Sequence, residues 1–339
     1  MENLVPKNQL RKVFVEALNG YSSEEIPKFG KVYIKHMDYF TSQDIDEKKD
    51  YYMDVAVKKG LPTTKQKEKE IIDNKLWDTA KDKKIEELAE FLRGLNSAKS
   101  KYLLKADIDR SKAEIERTEK EINEIAGEKA ELIGFTADLY ASKKVNEYYI
   151  YSTSYKDKEL KTKAFSDEDF EELTDMDIAE MTKSHNRMTN RFSALNLKRV
   201  SLSPFFMNHF YLCDDNPLNF FGKPIVGLTF NQCDLFSYGK YFKHILSEMK
   251  NPPSDDMMDD PDKLIELFNV GKNAEKILEK SAGKEGAATT VVGATKEDLE
   301  RMGISKTTQE GENVVNLNEV AAKKGGNLNM EDLIKLHGV

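Results

Sequence analysis

The side chains able to do chemistry are few and scattered in this chain. Histidine stands at His36, His185, His209, His244 and His337, and cysteine only at Cys213 and Cys233. No two histidines have the H-x-x-x-H or H-x-x-E-x-H spacing that brings two imidazoles to one metal, so each reads as an isolated surface or core residue. His209 and Cys213 lie one helical turn apart, and His244 follows Cys233 by eleven positions, which leaves a dispersed Cys/His metal or nucleophile site near an aromatic-rich stretch as an alternative. It lacks the second ligand pair that would make spacing diagnostic, and a hydrolase or nucleotide-dependent enzyme assembled from separated Asp, His and Cys residues around the aromatic cluster is the alternative function. The Gly-Lys pairs at Gly222, Gly271 and Gly283 have neither the upstream glycine nor the following Ser or Thr of a phosphate-binding loop. Asp255, Asp256, Asp259, Asp260 and Asp262 lack the alternating order and terminal Glu of a calcium loop, and Pro261 interrupts them, so they read as a charged linker. Lys99, Lys101 and Lys105 gather where acidic residues soon follow, the composition of a solvated helix end; a nucleic-acid-binding hairpin is the competing reading. No catalytic, cofactor-binding or metal-ligating residue is assigned, and the expectation is a protein that is not an enzyme.

Composition narrows the class further. The 339 residues are 39% hydrophobic and 33% charged. Ordinary globular chains are about 45–50% apolar and about a quarter charged, so one or two modest cores with solvated helices or disordered segments are expected. A formal charge of −8 disfavours nonspecific attraction to nucleic acid or anionic lipid. No run approaches the roughly 18 apolar residues of a membrane span, and the N-terminal segment lacks the apolar core of a signal peptide. Two unpaired thiols suit a reducing compartment. A soluble cytoplasmic protein is the expectation.

The elements that would position any site are mostly helical. Residues 1–77 read as a mixed, mostly helical region: "KVYIKHM" from Lys31 is a short strand or a helix start, one helix opens at Thr41 and Ser42 and stops at Gly60, and a second opens at Pro62 and Thr63 and runs to near Trp77. Residues 78–149 carry the clearest pattern. Ile85, Leu88, Leu92 and Leu95 are spaced 3-4-3, and Ile108, Ile115 and Ile122 recur every seven beside Ile125, Leu132 and Leu139. That is an apolar seam on long Lys/Glu helices, a coiled coil or a helical hairpin. The heptad phase breaks between Tyr102 and Ile108, and an antiparallel hairpin with its turn there is preferred over a stutter in one continuous helix.

Residues 150–250 are expected to form an aromatic-rich helical domain. Eleven Phe and Tyr fall between Phe205 and Phe242, and Thr229 with Gln232 makes a capping box ahead of Leu235, Tyr238, Phe242, Ile245, Leu246 and Met249 on one helical face. The cluster reads as core. Residues 251–283 are a linker and a helix opened by Asp260 and Pro261. Residues 284–339 read as a partly disordered C-terminal tail with two short helical islands, whose anchors Leu299, Met302, Ile304, Met330, Leu333 and Leu336 are the expected partner-binding residues. Docking of those islands back on the same chain is the alternative.

The order of "VKKGLPTTKQKEKEIIDNKLW", the Lys/Glu hairpin ending in "ELIGFTADLY", the helix "LTFNQCDLFSYGKYFKHIL" and the loose tail resembles virion structural or tail-assembly proteins of large tailed bacteriophages, over about Lys31 to Met249. The resemblance implies a non-enzymatic structural or assembly role. It also implies other phage structural or assembly proteins as partners, a host-cytoplasm or virion location, and no cofactor. A homo-oligomer is compatible with the seam.

Overall fold

The computed structural model describes residues 4–249, 252–282 and 294–302. They are mainly helical, as the sequence pattern predicts, with fifteen α-helices and one three-stranded sheet. They form two compact units, each discontinuous in sequence. The first comprises the described residues up to Lys83 with Ile125–Leu264, and the second comprises Lys84–Glu124 with the described residues from Ile265 onward.

The first unit opens with α1 (Leu10–Asn19), which ends on Gly20 at φ 75°, a left-handed conformation suited to glycine. The chain then enters an antiparallel hairpin of β1 (Tyr21–Ile26) and β2 (Gly30–Lys35), to which β3 (Ser154–Tyr155) adds through Tyr33 and Ile34. "KVYIKHM" is therefore a strand, and the reason is period two: Val32 and Ile34 are buried while Lys31, Tyr33 and Lys35 are not. α2 (Tyr39–Lys58) starts earlier than Thr41, because the Asp38 carboxylate accepts from the Thr41 backbone N–H and caps it. α3 (Thr64–Asp73) is held by the Thr63/Gln66 capping box and stops short of Trp77, which is buried beyond its end.

The seam divides where its phase breaks. α4 (Thr79–Lys99) and α5 (Lys105–Ile133) are separate helices joined by residues 100–104, and the pairs Lys81–Glu128 and Lys84–Glu121, both at 2.5 Å, run the two antiparallel. Leu139 is not on that seam. Gly134, at φ 66°, ends α5, and Thr136 caps a new helix, α6 (Ala137–Thr153), on which Leu139 is exposed. The spacing of seven across that break is a coincidence of helix lengths. α6 packs along α2.

The rest of the first unit is a series of short helices: α7 (Asp167–Glu171), α8 (Asp175–Arg191), α9 (Ala194–Leu202), α10 (Pro204–Phe210), α11 (Pro217–Phe221) and α12 (Phe230–Glu248). The aromatic cluster is core in part: Phe206, Phe210, Phe236 and Phe242 are buried, as helical spacing predicts, whereas Tyr211, Phe230 and Tyr241 are exposed and the remaining rings half-buried. Phe206 and Phe210 stack at 5.3 Å, Phe236 meets Phe210 edge-on at 5.2 Å, and Phe242 is fully buried. α12 passes close because of Gly239, where a Cβ would sit 2.7 Å from the Phe210 ring and 2.9 Å from that of Phe206. This core is shared with the N-terminal segment, for Phe14 of α1 meets Phe206 at 5.5 Å and the Gln232 amide donates to Ala17 O at 2.8 Å. The sequence boundaries at 77/78 and 149/150 are thus bridged by packing within one unit.

The segment read as a linker contains a short helix, α13 (Asp255–Asp259), before α14 (Pro261–Ala282), which opens with the Asp260 carboxylate accepting from the Lys263 N–H. In the second unit, Ile108 of α5 packs with Val270 and Ala274 of α14 and with Met302, which follows α15 (Lys296–Arg301). Residues 283–293 and 303–339 lie outside the described residues.

Candidate functional site

One gathering of chemical side chains is not revealed by sequence spacing. α1 supplies Glu16, β1 supplies Ser22 and Glu24, the segment after β2 supplies His36, and α8 supplies Arg187 and Arg191. The Ser22 hydroxyl donates to Glu16 Oε2 at 2.9 Å, and His36 Nε2 lies 2.8 Å from the same hydroxyl oxygen. Because the serine proton is committed to Glu16, the imidazole donates from Nε2, which leaves Nδ1 as a bare, buried lone pair. A neutral ring suits that position. Burial pushes the His36 pKa down to about 3, and the nearby Arg191 guanidinium adds to the shift. Arg191 donates to Glu16 Oε2 at 3.2 Å and to Glu24 Oε1 at 2.5 Å, and Arg187 lies 3.4 Å from Glu24 Oε2.

A Ser-His-Glu set invites comparison with a catalytic triad, and the geometry argues against one. In a triad the carboxylate orients the imidazole through Nδ1; here it binds the serine, and Nδ1 has no partner. Ser22 and His36 are both 0% exposed, so no substrate atom reaches the hydroxyl. The cluster ties α1, the β-hairpin and α8 together by charge-assisted hydrogen bonds.

The other histidines and the cysteines are held separately. His185 is buried against Thr153 Oγ1 at 3.2 Å and Met181 O at 3.0 Å, and burial pushes its pKa down to about 4. His209 Nδ1 donates to Phe205 O at 2.8 Å, whereas Cys213 is buried with its thiol donating to Phe210 O at 3.0 Å. Each is thus engaged by a carbonyl of its own turn. Both thiols are free, and burial pushes the Cys233 thiol upward. Among the described residues no three His, Cys, Asp or Glu side chains converge as a metal site. At the hairpin turn, the Lys105 amine is engaged by Glu297 at 2.9 Å.

The expected partner-binding residues fare differently from one another. Thr295 and Asp298 form the capping box that the sequence shows, but Asp298 also accepts from the Lys105 backbone N–H at 2.9 Å. Met302 is 4% exposed in its own unit's core, and Leu299 is half-buried. This first island therefore docks on its own unit, and Met302 is spent there. Ile304, Met330, Leu333 and Leu336 lie outside the described residues.

An open apolar face is found on α4 instead. None of its residues is buried over 21 positions, although Ile85, Leu88, Leu92 and Leu95 share a face. Those four are half-buried, and Phe91 beside them is 48% exposed. Large apolar groups left at a helix surface in a contiguous stripe mark a contact face. Among the described residues, no helix is long and apolar enough to cross a membrane. Comparison with known protein families, with curated proteins and with solved structures returns no match.

Proposed function

We propose that this chain is a non-enzymatic structural or assembly protein that acts through protein–protein contacts, with α4 as one of its contact faces. The observation that carries this reading is the apolar stripe from Ile85 to Leu95 on a long helix that buries none of it completely. The sealing of the Ser22–His36–Glu16 cluster supports it, since the most reactive-looking side chains serve packing. The resemblance to tailed-phage virion and tail-assembly proteins points to other phage structural or assembly proteins as the partners, in the host cytoplasm or the virion. A second copy of the chain fits the same stripe.

The test is affinity purification of the tagged full-length protein from the cells that produce it, beside a Leu88→Glu, Leu92→Lys variant, with mass spectrometry of what co-purifies. The expected result is a reproducible set of proteins, or an untagged copy of the chain, that is lost in the variant. Recovery of the same proteins with the variant would remove α4 from the proposal. Recovery of the chain alone with a stoichiometric nucleotide or metal would overturn the non-enzymatic reading.

A further inference from the structure

We propose that a cleft beside β2 binds an extended peptide segment of a partner protein, one in which an apolar residue is flanked by acidic residues. The proposal uses residues separate from α4 and survives the loss of that contact face.

The cleft, about 370 Å³, has an apolar floor of Val32, Ala164 and Phe165, all buried, with Phe29 as a wall meeting Phe165 edge-on at 5.1 Å. That space takes one or two large side chains. Three lysines stand at its rim. Lys28 is engaged by Asp177 at 2.6 Å, but among the described residues neither Lys31 nor Lys156 reaches an ion-pair partner, and both are exposed. Lys31 lies over the Tyr33 ring at 5.3 Å and Lys156 interacts electrostatically with Asp169, so the rim offers two exposed ammonium groups, neither locked in an ion pair, beside an apolar floor. Asp169 and Glu172 also border the cleft, which weighs against polyanions such as nucleic acid or polyphosphate and favours a ligand of modest charge.

Backbone geometry selects a peptide over a small anion. His36 N donates to Gly20 O at 2.9 Å, so the even-numbered residues of β2 turn their N–H and C=O groups toward β1, and the odd-numbered ones turn theirs to the other side. Ala164 N donates to Ser154 O and Lys156 N to Thr162 O, both at 2.9 Å, so it is Tyr155 that faces β2, opposite Tyr33. β3 ends there. The next odd residue, Lys31, presents its backbone donor and acceptor past the end of β3, along the edge of the cleft. An extended chain laid on that edge pairs with Lys31, sends one side chain onto the Val32–Phe165 floor, and brings its neighbouring residues within reach of the Lys31 and Lys156 amines. A free phosphate or carboxylate uses the amines alone and leaves both the backbone edge and the floor unused.

The test uses ¹⁵N-labelled full-length protein titrated with the synthetic peptide acetyl-Ser-Glu-Leu-Glu-Ile-Glu-Ser-amide, read by amide chemical shifts and by hydrogen exchange of the Lys31 amide. Saturable shifts at Lys31, Val32, Lys156 and Phe165, with slower exchange at Lys31, are expected. The same peptide with Lys in place of Glu should bind at least about fivefold more weakly, as should the acidic peptide to a Lys31→Glu, Lys156→Glu variant. Absence of saturable shifts, equal binding by the variant, or equal shifts with sodium acetate or inorganic phosphate would each overturn the peptide proposal. None of these readouts involves Leu88 or Leu92, so the outcome is separable from that for α4.

Discussion

The aromatic core of the first unit and the α4–α5 hairpin use apolar residues in opposite ways. Around Phe206 and Phe210 the rings come from α1, α10, α11 and α12, so these two side chains are fully buried. Along α4 no residue is fully buried over 21 positions, and the pairs Lys81–Glu128 and Lys84–Glu121 tie it to α5; a seam between two helices alone stays open at its sides. Burial requires several elements converging on one place, whereas a heptad pattern guarantees only a face. The hairpin's face is accordingly half-spent, and half-spent apolar surface is what a partner can still use.

Phe206→Ala removes a fully buried ring and should cost about 3–5 kcal/mol, seen as a large drop in the thermal midpoint of the first unit. A drop comparable to a surface substitution would mean that the core is not closed. The two units should also differ in their response to acid. The folded pKa values of His36 and His185, about 3 and about 4, lie below the ordinary 6.5, so their neutral forms support folding fully above pH 6.5 and that support fades as pH falls toward those values. By pH 5.5 the loss is on the order of 1 kcal/mol per histidine. The described residues of the second unit contain no histidine. Hydrogen exchange followed from pH 7 to 5, corrected for intrinsic rates, should show protection lost first around β1, β2 and α8. A His36→Gln, His185→Gln variant should show a flatter dependence.

A smaller effect is expected from Gly239→Ala. The new methyl meets two rings that are themselves buried, and overpacking of about 1–3 kcal/mol is opposed by up to about 1 kcal/mol of helix propensity. Chemical denaturation should therefore show net destabilisation, and a gain in stability would show that α12 does not pass so close to α10. The smallest effect is expected at Leu88→Ala. Its side chain is only half-buried, so the unfolding free energy should change by less than about 1 kcal/mol, while co-purification of partners should fall. A loss of several kcal/mol would show that the stripe is an internal core after all.

Much of this architecture is written locally. The Thr63/Gln66, Ser166/Asp169, Thr229/Gln232 and Thr295/Asp298 capping boxes all form, because a cap needs only residues three apart. The phase break between Tyr102 and Ile108 falls at a real turn: α4 ends at Lys99 and α5 starts at Lys105, although a stutter within one helix would have given the same spacing. The Asp38 cap was less legible: Thr41 and Ser42 are equally good starters, and the choice depends on the Asp38–Thr229 bridge to a distant segment. Nothing in the neighbourhood of His36 announces Ser22, Glu16 or Arg191, which approach it from three other elements. The cleft has no sequence signature either, because it exists only where β3 ends opposite Tyr33 and Phe165 closes the floor.

Local sequence determined most helix caps, the hairpin turn and the inward face of most amphipathic helices, all of which depend on residues within a few turns of one another, though not where α2 begins, where α3 ends, or that Leu139 leaves the seam. Only the tertiary structure decided that the aromatic helices share a core with α1, that Met302 is spent on its own unit, that the Ser22–His36 pair is sealed, and that Lys31 has an open edge. These features join residues tens to hundreds of positions apart. Local hydrogen-bonding and periodicity carry no information about which distant segments will fill the space beside them.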